Sequence, residues 1–563
     1  MKQFFKVIPV FFLLAILFAS CSKKNDEGKM IPANALFVAH IDMNSMNKKL
    51  SWSEIKEMDW FKKMNSDSSA PKWAKKMLEN PEASGIDFDK SLLAFGVKGE
   101  SDKYYIVAEG TIKNKDNFEQ FNKNFDPSEA VKKIGDVNVL TLKDKNVVGW
   151  KGDRFAYVMN SFVTAAEMYD INNDSENPAD LKNGNANLGA YCASLFNLKS
   201  DSSLASNAKF GDLMKEKGDM HFWNNNSEII KNVPNMGMLG MLKLDMFFKE
   251  NYGATTINFE DGKIEMDQKF YSGKELTDFL KKYKGSKINS DMVKNIPSQN
   301  VMGLFAMNFK PEAIQELIKL TGTDGFVNMF LKDMGVSLDD LSKANNGDMM
   351  ISISDVELKP DTSILKSLDG NSMISGAAPG FNFLFSMSVK DKASFQKISN
   401  ALQKVGGQMG ADSLVNIQLN DKYFTISNHK DFADKFMSGS QNNQFDFVSK
   451  LNSNPMGFYL DLHKLFTVIS GERMSGPEIK SVIDQNLKIW DKVSMTAGDM
   501  KNDAFNAHSE MTFIDQKTNS LKQLNSYLNE MYKFNEARKE NNPNQDNLDS
   551  ILTPPTIDTV KFK

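Results

Sequence analysis

Two cysteines and five histidines are the scarcest reactive side chains in this 563-residue chain, and the setting of one cysteine says most. Cys21 closes the run Leu17-Phe18-Ala19-Ser20-Cys21, in which small residues lead into a thiol. That is the form of a bacterial lipobox, where the sulfur takes a diacylglyceryl group as a thioether and the cysteine becomes the mature N-terminus. Lys2 and Lys6 give a positive n-region, and Val7 to Phe18 an apolar h-region broken only by Pro9. The run falls short of the about 20 apolar residues that a bilayer span needs. The expectation is a signal peptide over residues 1–20, lipidation at Cys21 and a solvated tether over 21–30. The competing reading is an ordinary signal peptide cut nearby, with Cys21 incidental. Each buried methylene is worth about 0.8 kcal/mol, so several acyl chains, palmitate among them, would attach the chain almost permanently.

Elsewhere the reactive residues do not assemble into recognisable chemistry. His40, His221, His429, His463 and His508 show no His-Glu-x-x-His and no Cys/His pairing, so no metal is expected from their spacing. Two copies of a repeated unit could still bring distant histidines together. Cys192 lies in the apolar Ala190–Leu195 and reads as a small buried hydrophobe. Met236, Met238, Met241 and Met246 crowd one stretch; thioether clusters can hold copper, but an apolar helix filled with methionine is the plainer account. Ser470 to Gly476 is a Gly/Ser loop without the lysine of a phosphate cradle. Asp339-Asp340 and Asp26-Glu27 are adjacent carboxylates, whereas a glycosidase pair must face across a cleft. Trp52, Trp60 and Trp73 stand close together and are the candidate ligand platform, for glycan or protein, if exposed. If buried, they anchor helices. No catalytic residue, metal or cofactor is assigned.

The elements that must carry these residues belong to an ordinary globular composition: 41% hydrophobic and 25% charged. The length calls for two or more domains. Without residues 1–20 the chain holds 66 basic against 72 acidic residues, a net charge of −6, which does not favour nucleic acid. Three arginines (Arg154, Arg473 and Arg538) accompany 65 lysines, so bidentate phosphate or carboxylate sites would be few.

Two stretches about 265 residues apart share one form: Ile31–Ile41, beginning Ile31-Pro32-Ala33-Asn34-Ala35, and Ile296–Ala306, beginning Ile296-Pro297-Ser298-Gln299-Asn300. Further matches follow in the same order. Gly85–Asp89 pairs with Gly335–Asp339, and Ile112–Phe118 with Val389–Phe395, where Asn114 and Asp391 are placed to cap helices. Asp153–Asn160 pairs with Asp421–Asn428, Met220–Trp223 with Met456–Tyr459, and the hairpin and helix over 254–283 with those over 493–531. Alternation at Phe381, Phe383, Phe385, Met387 and at Phe505, Ala507, Ser509, Met511 predicts antiparallel strands. The predicted fold class is α+β: two tandem duplicated units, 31–290 and 291–534, each mainly antiparallel sheet with helices on one face. A polar C-terminal tail over 535–563 follows.

The lipobox start, the Ile31–Ile41 strand, and Lys48-Lys49-Leu50-Ser51 leading to a helix resemble an uncharacterised group of Bacteroidota lipoproteins, domain of unknown function 4836. Ser22–Gly28 is similar to the short Lys-plus-acidic signal that directs such lipoproteins to the outer leaflet of the outer membrane. The resemblance implies an envelope compartment, surface-exposed or periplasm-facing, and carries no active site. The leading expectation is a lipid-anchored binding or scaffolding module with a protein or glycan partner. The alternatives are a hydrolase or glycan-processing enzyme with a site between the repeats, or an envelope assembly or chaperone factor.

Overall fold

The computed structural model describes residues 27–66, 79–99, 104–124, 128–142, 145–160, 187–231, 247–360, 377–408, 415–470 and 477–541. Cys21, Trp73 and Met236 to Met246 lie outside them. The chain forms two compact units, one from Met1–Asp42 and Pro81–Pro234, the other from Met43–Asn80 and Asn235–Lys563. The breaks therefore fall at 42/43, 80/81 and 234/235, whereas the repeat pattern places one at 290/291. Both units are mixed α/β with a large antiparallel sheet. Among the described residues, no helix is long and apolar enough to cross a membrane.

The first unit carries β1 (Phe37–Ile41), β2 (Leu92–Lys98), β3 (Tyr104–Thr111), β4 (Lys132–Ile134), β5 (Val137–Thr141), β6 (Val147–Lys151), β7 (Arg154–Asn160) and β8 (Met220–Asn225). Every pairing is antiparallel, in the order β8-β1-β2-β3-β7-β6-β5-β4. Cross-strand partners share a face. Val38, Leu93, Phe95, Val107, Ala156 and Trp223 therefore line one side, all buried. Helix Leu188–Leu195 lies on that side over β5–β7, with Cys192 so close to Gly149 that a Cβ there would stand 2.6 Å from its Sγ. Helix Lys115–Lys123 covers the opposite side, where Phe118 meets Phe155 and Trp150 at 5.2 and 5.9 Å.

The second unit carries β9 (Tyr252–Glu260), β10 (Lys263–Tyr271), β11 (Val301–Asn308), β12 (Asn345–Pro360), β13 (Ala377–Val389), β14 (Asn416–Leu419), β15 (Tyr423–Ser427), β16 (Met456–Asp461), β17 (Trp490–Lys501) and β18 (Ala504–Phe513). Their antiparallel order is β9-β10-β18-β17-β16-β11-β12-β13-β15-β14. On one face Leu304, Ala306, Met350 and Leu384 pack with Phe432, Phe436, Leu451 and the segment Ile288–Ile296. On the other, helix Lys392–Gln408 brings Phe395 onto Phe424 at 4.9 Å.

Three expectations need correction or extension. Helices cover both faces of each sheet, not one. The reason is legible in β6, where Val147, Val148, Gly149 and Trp150 are all buried and each face needs its own cover. The tail does not begin at 535, because helix Ser520–Asn541 runs through it. The hairpin β9–β10 joins β18 of the second unit, in a register running from Lys263↔Thr512 to Tyr271↔Ala504. The predicted caps do form: Asn114 accepts from the Asn117 amide at 3.0 Å, and Asp391 from the Ser394 amide at 3.0 Å.

Candidate functional site

Strand parity puts ionisable groups on the buried face of the first unit. In β1 the alternation that buries Val38 also buries His40, and in β8 the one that buries Trp223 also buries His221. These strands pair with His40 opposite His221, and the two Nδ1 atoms stand 3.0 Å apart. His221 Nε2 lies 3.1 Å from the carbonyl oxygen of Glu216. Glu27 reaches to 3.8 Å from His40 Nε2. Further along the same face Glu109 is fully buried, with Arg154 at 3.4 Å from one oxygen and the other oxygen without a hydrogen bond. Burial pushes the Glu109 carboxyl up to about 7 against the pull of Arg154. Burial, with the neighbouring His221, takes His40 down to about 4 although Asp42 opposes it. Each direction is that of a charge kept out of water.

The second unit presents an open groove of about 570 Å³ beside β16–β18. One wall is aromatic: Phe445 stacks on Phe447 at 5.1 Å, and Phe447 on Tyr459 at 4.1 Å. The floor is charged but internally matched. Asp461 caps helix Leu462–Ile469, accepts from the Tyr459 hydroxyl at 3.3 Å and lies 3.6 Å from Lys464. Glu510 bonds Lys450 and also meets Lys263 at 3.3 Å. Burial would raise Glu510, but the two lysines outweigh it and hold the carboxyl below its usual range. A general acid needs the opposite displacement. The groove can therefore take polar or zwitterionic groups beside an aromatic wall, with Glu510 held ionised by its two lysines.

The comparisons add a family. The model described as a domain of unknown function (DUF4836) matches residues 28–443, well over half of the chain. The chain belongs to that family. Searches among curated proteins and among solved structures gave no match. The DUF4836 span takes in His40, His221, Glu109 and Arg154. Most of the groove, from Gln444 to Gln516, lies beyond it.

The other residues singled out in this DUF4836 chain fall as follows. Trp52 and Trp60 are half-buried, each edge-on to Phe61 at 5.3 and 5.8 Å, and Trp60 donates to Asn525 of the terminal helix at 3.3 Å. Cys192 is fully buried, and burial takes its thiol up to about 12, leaving no thiolate at neutral pH. Asp340 closes a capping box with Ser337 and bonds Lys397, while Asp339 pairs with Lys343, so the adjacent carboxylates serve a helix start. His508 is exposed, 2.8 Å from Asp267; His429 and His463 stand apart from it in sequence. Among the described residues no three His, Cys, Asp or Glu side chains converge as a metal would require. Sequence reasoning missed the His40–His221 pair and Glu109. The signal lay in their phase with Val38, Trp223 and Val107.

Helix Asp324–Asp333 has a bare outer face. Phe326, Met329 and Phe330 follow helical spacing and are 70%, 62% and 60% exposed, while Leu331 on the opposite side is buried. Large apolar groups so bare and so close together mark contact surfaces.

Proposed function

We propose that this chain is a lipoprotein, fixed by acyl groups on Cys21 in the outer membrane, that acts by binding or scaffolding a protein partner and carries out no catalysis. The observation that carries the reading is the bare Phe326/Met329/Phe330 face of helix Asp324–Asp333. A partner's apolar surface is its natural complement, as Phe and Met are enriched in protein interfaces relative to the rest of the surface. The matched ion pairs of the groove favour binding over acid–base chemistry, because Lys450 and Lys263 hold the Glu510 carboxyl below its usual range. The stretch Ile288–Ile296 packs into a filled apolar core, which speaks against the polar cleft a hydrolase would need near 285–300.

The finer architectural reading, two copies of one unit, belongs with this proposal. The order β8-β1-β2-β3-β7-β6 has the same connectivity as β16-β11-β12-β13-β15-β14. Gly85 and Gly335, matched in sequence, both adopt positive φ, at 71° and 73°, a conformation that other residues reach only at a cost. Duplication would explain both.

The test is made in cells. A photo-reactive residue at Met329 should cross-link one discrete protein, and Phe326→Ser with Phe330→Ser should abolish the adduct while leaving membrane fractionation unchanged. Labelled palmitate should enter the wild type and not Cys21→Ser, which should leave the membrane fraction. Absence of any adduct overturns the docking surface; membrane retention of Cys21→Ser without palmitate labelling overturns the anchor.

A further inference from the structure

The buried histidine pair fixes its own tautomers, and that has a consequence at the first described residue. A backbone carbonyl can only accept, so His221 must hold a proton on the Nε2 that lies 3.1 Å from Glu216 O. Neutral His221 then has a bare Nδ1. His40 Nδ1, 3.0 Å away, must supply the proton between them. Neutral His40 is left with a bare Nε2, which is buried and accepts no hydrogen bond. The group facing that lone pair, at 3.8 Å, is the Glu27 carboxyl. Two acceptors confront one another unless a proton lies between them.

We propose that His221, His40 and Glu27 form a relay that holds one exchangeable proton, and that this proton fastens the turn at Glu27–Lys29 to the first unit. With the proton present, the Glu27 carboxyl donates to His40 Nε2 and the turn is docked. Without it, a half-buried carboxylate faces the lone pair of a buried imidazole nitrogen, and the turn lifts away. The movement is confined to the turn, because Met30 and Ile31 behind it are buried apolar residues.

Every charged group around the relay enters the balance. After β1 and before β8, Asp42, Glu216 and Asp219 favour protonated imidazoles, and Asp42 also raises Glu27. On β7 and β3, Arg154 opposes protonation of Glu27, whereas Glu27 itself raises Glu109. Burial is the largest influence on both partners: it raises Glu27 and lowers His40. The proton therefore rests on the carboxyl. The sign follows: a carboxyl raised on docking contributes its stabilisation below the free carboxyl range and loses it as pH rises through the docked value.

The second unit supplies an internal contrast. At the corresponding register β11 and β16 pair Ala306 with Gly457. The segment entering β11 is held there by amides: Asn295 donates to Phe436 O at 2.6 Å, and Asn443 to Ile296 O at 2.7 Å. None of these groups titrates.

The test uses the full chain with 15N-labelled histidines and the variant Glu27→Gln, whose amide donates at every pH. Nitrogen shifts should show His221 protonated on Nε2 and His40 on Nδ1, and the His40 Nε2 signal should follow Glu27 in the wild type and stay flat in Glu27→Gln. The amides of Ile31 and Ala205, both bonded to Gly28 O, give the second readout. Above the docked carboxyl's pKa their exchange should run faster in the wild type than in Glu27→Gln, by about tenfold per pH unit, with equal rates below it. His40→Ala with His221→Gly, the second unit's residues, should also remove the pH dependence; Glu27→Gln decides the matter if that pair does not fold. His40 protonated on Nε2 alone, or equal exchange in wild type and Glu27→Gln at every pH, overturns the relay.

Discussion

The interiors of the two units differ at positions that strand pairing makes equivalent. Where the first unit has His40, His221 and Glu109, the second has Ala306, Gly457 and Ser386, and Arg154 is answered by Tyr423. Both faces are buried and both sheets are antiparallel, so the scaffold does not demand charge at these places. A buried ionisable group weakens a fold unless it is matched, and small neutral residues fill the same lattice in the second unit. The first unit thus carries an electrostatic burden that the second unit lacks at the positions paired in the same way. Perturbed titratable groups gathered in one place are a sign of function.

The largest effect expected on either side of this comparison is steric. Trp223 is fully buried against Phe210 at 5.8 Å, so Trp223→Ala should cost about 4 kcal/mol in urea unfolding. Tyr459 occupies the equivalent position but borders the open groove. Tyr459→Ala should cost less, and equal losses would mean that the groove gives the ring no freedom to collapse. Next comes charge. Glu109, held up to about 7, binds its proton more tightly folded than unfolded, so its contribution is present below about 4.5 and is lost as pH rises through 7. Glu109→Gln should therefore be more stable than wild type at pH 8, on the order of 2 kcal/mol, and no more stable at pH 4. A gain that is independent of pH would break the electrostatic account. The smallest effect belongs to an exposed charge: Lys522 holds Glu54 down to about 2, yet both side chains are about two-fifths exposed. Lys522→Ala should change stability by less than about 1 kcal/mol, measured by thermal unfolding.

Much of the fold was legible, for local reasons. The alternation at β13 and β18 and the caps at Asn114 and Asp391 all rest on residues within a few positions of one another. What escaped is non-local. The His40–His221 bond spans 181 residues of chain, and no local pattern announces which strand neighbours which. Glu109 reads as one polar residue in an apolar strand until its parity with Tyr105 and Val107 is followed. The grouping of Met43–Asn80 with the second unit rests on pairs such as Asp59 with Asn529, at 2.6 Å. The helices on both faces were foreshadowed by unbroken apolar runs such as Val147–Trp150, which alternation alone passes over.

The junction of β10 with β18 sets an order of events during synthesis. The hairpin β9–β10 is complete once Tyr271 has emerged, but its neighbour begins only at Ala504. Everything from Ser272 to Asp503 must follow before that bare edge is covered. Until then the backbone amides and carbonyls on the outer edge of β10, those of every second residue, stay open to any passing strand. Nascent chains stalled before Ala504 are therefore the species most prone to mispairing, and the last hairpin to be made is the one that closes the sheet.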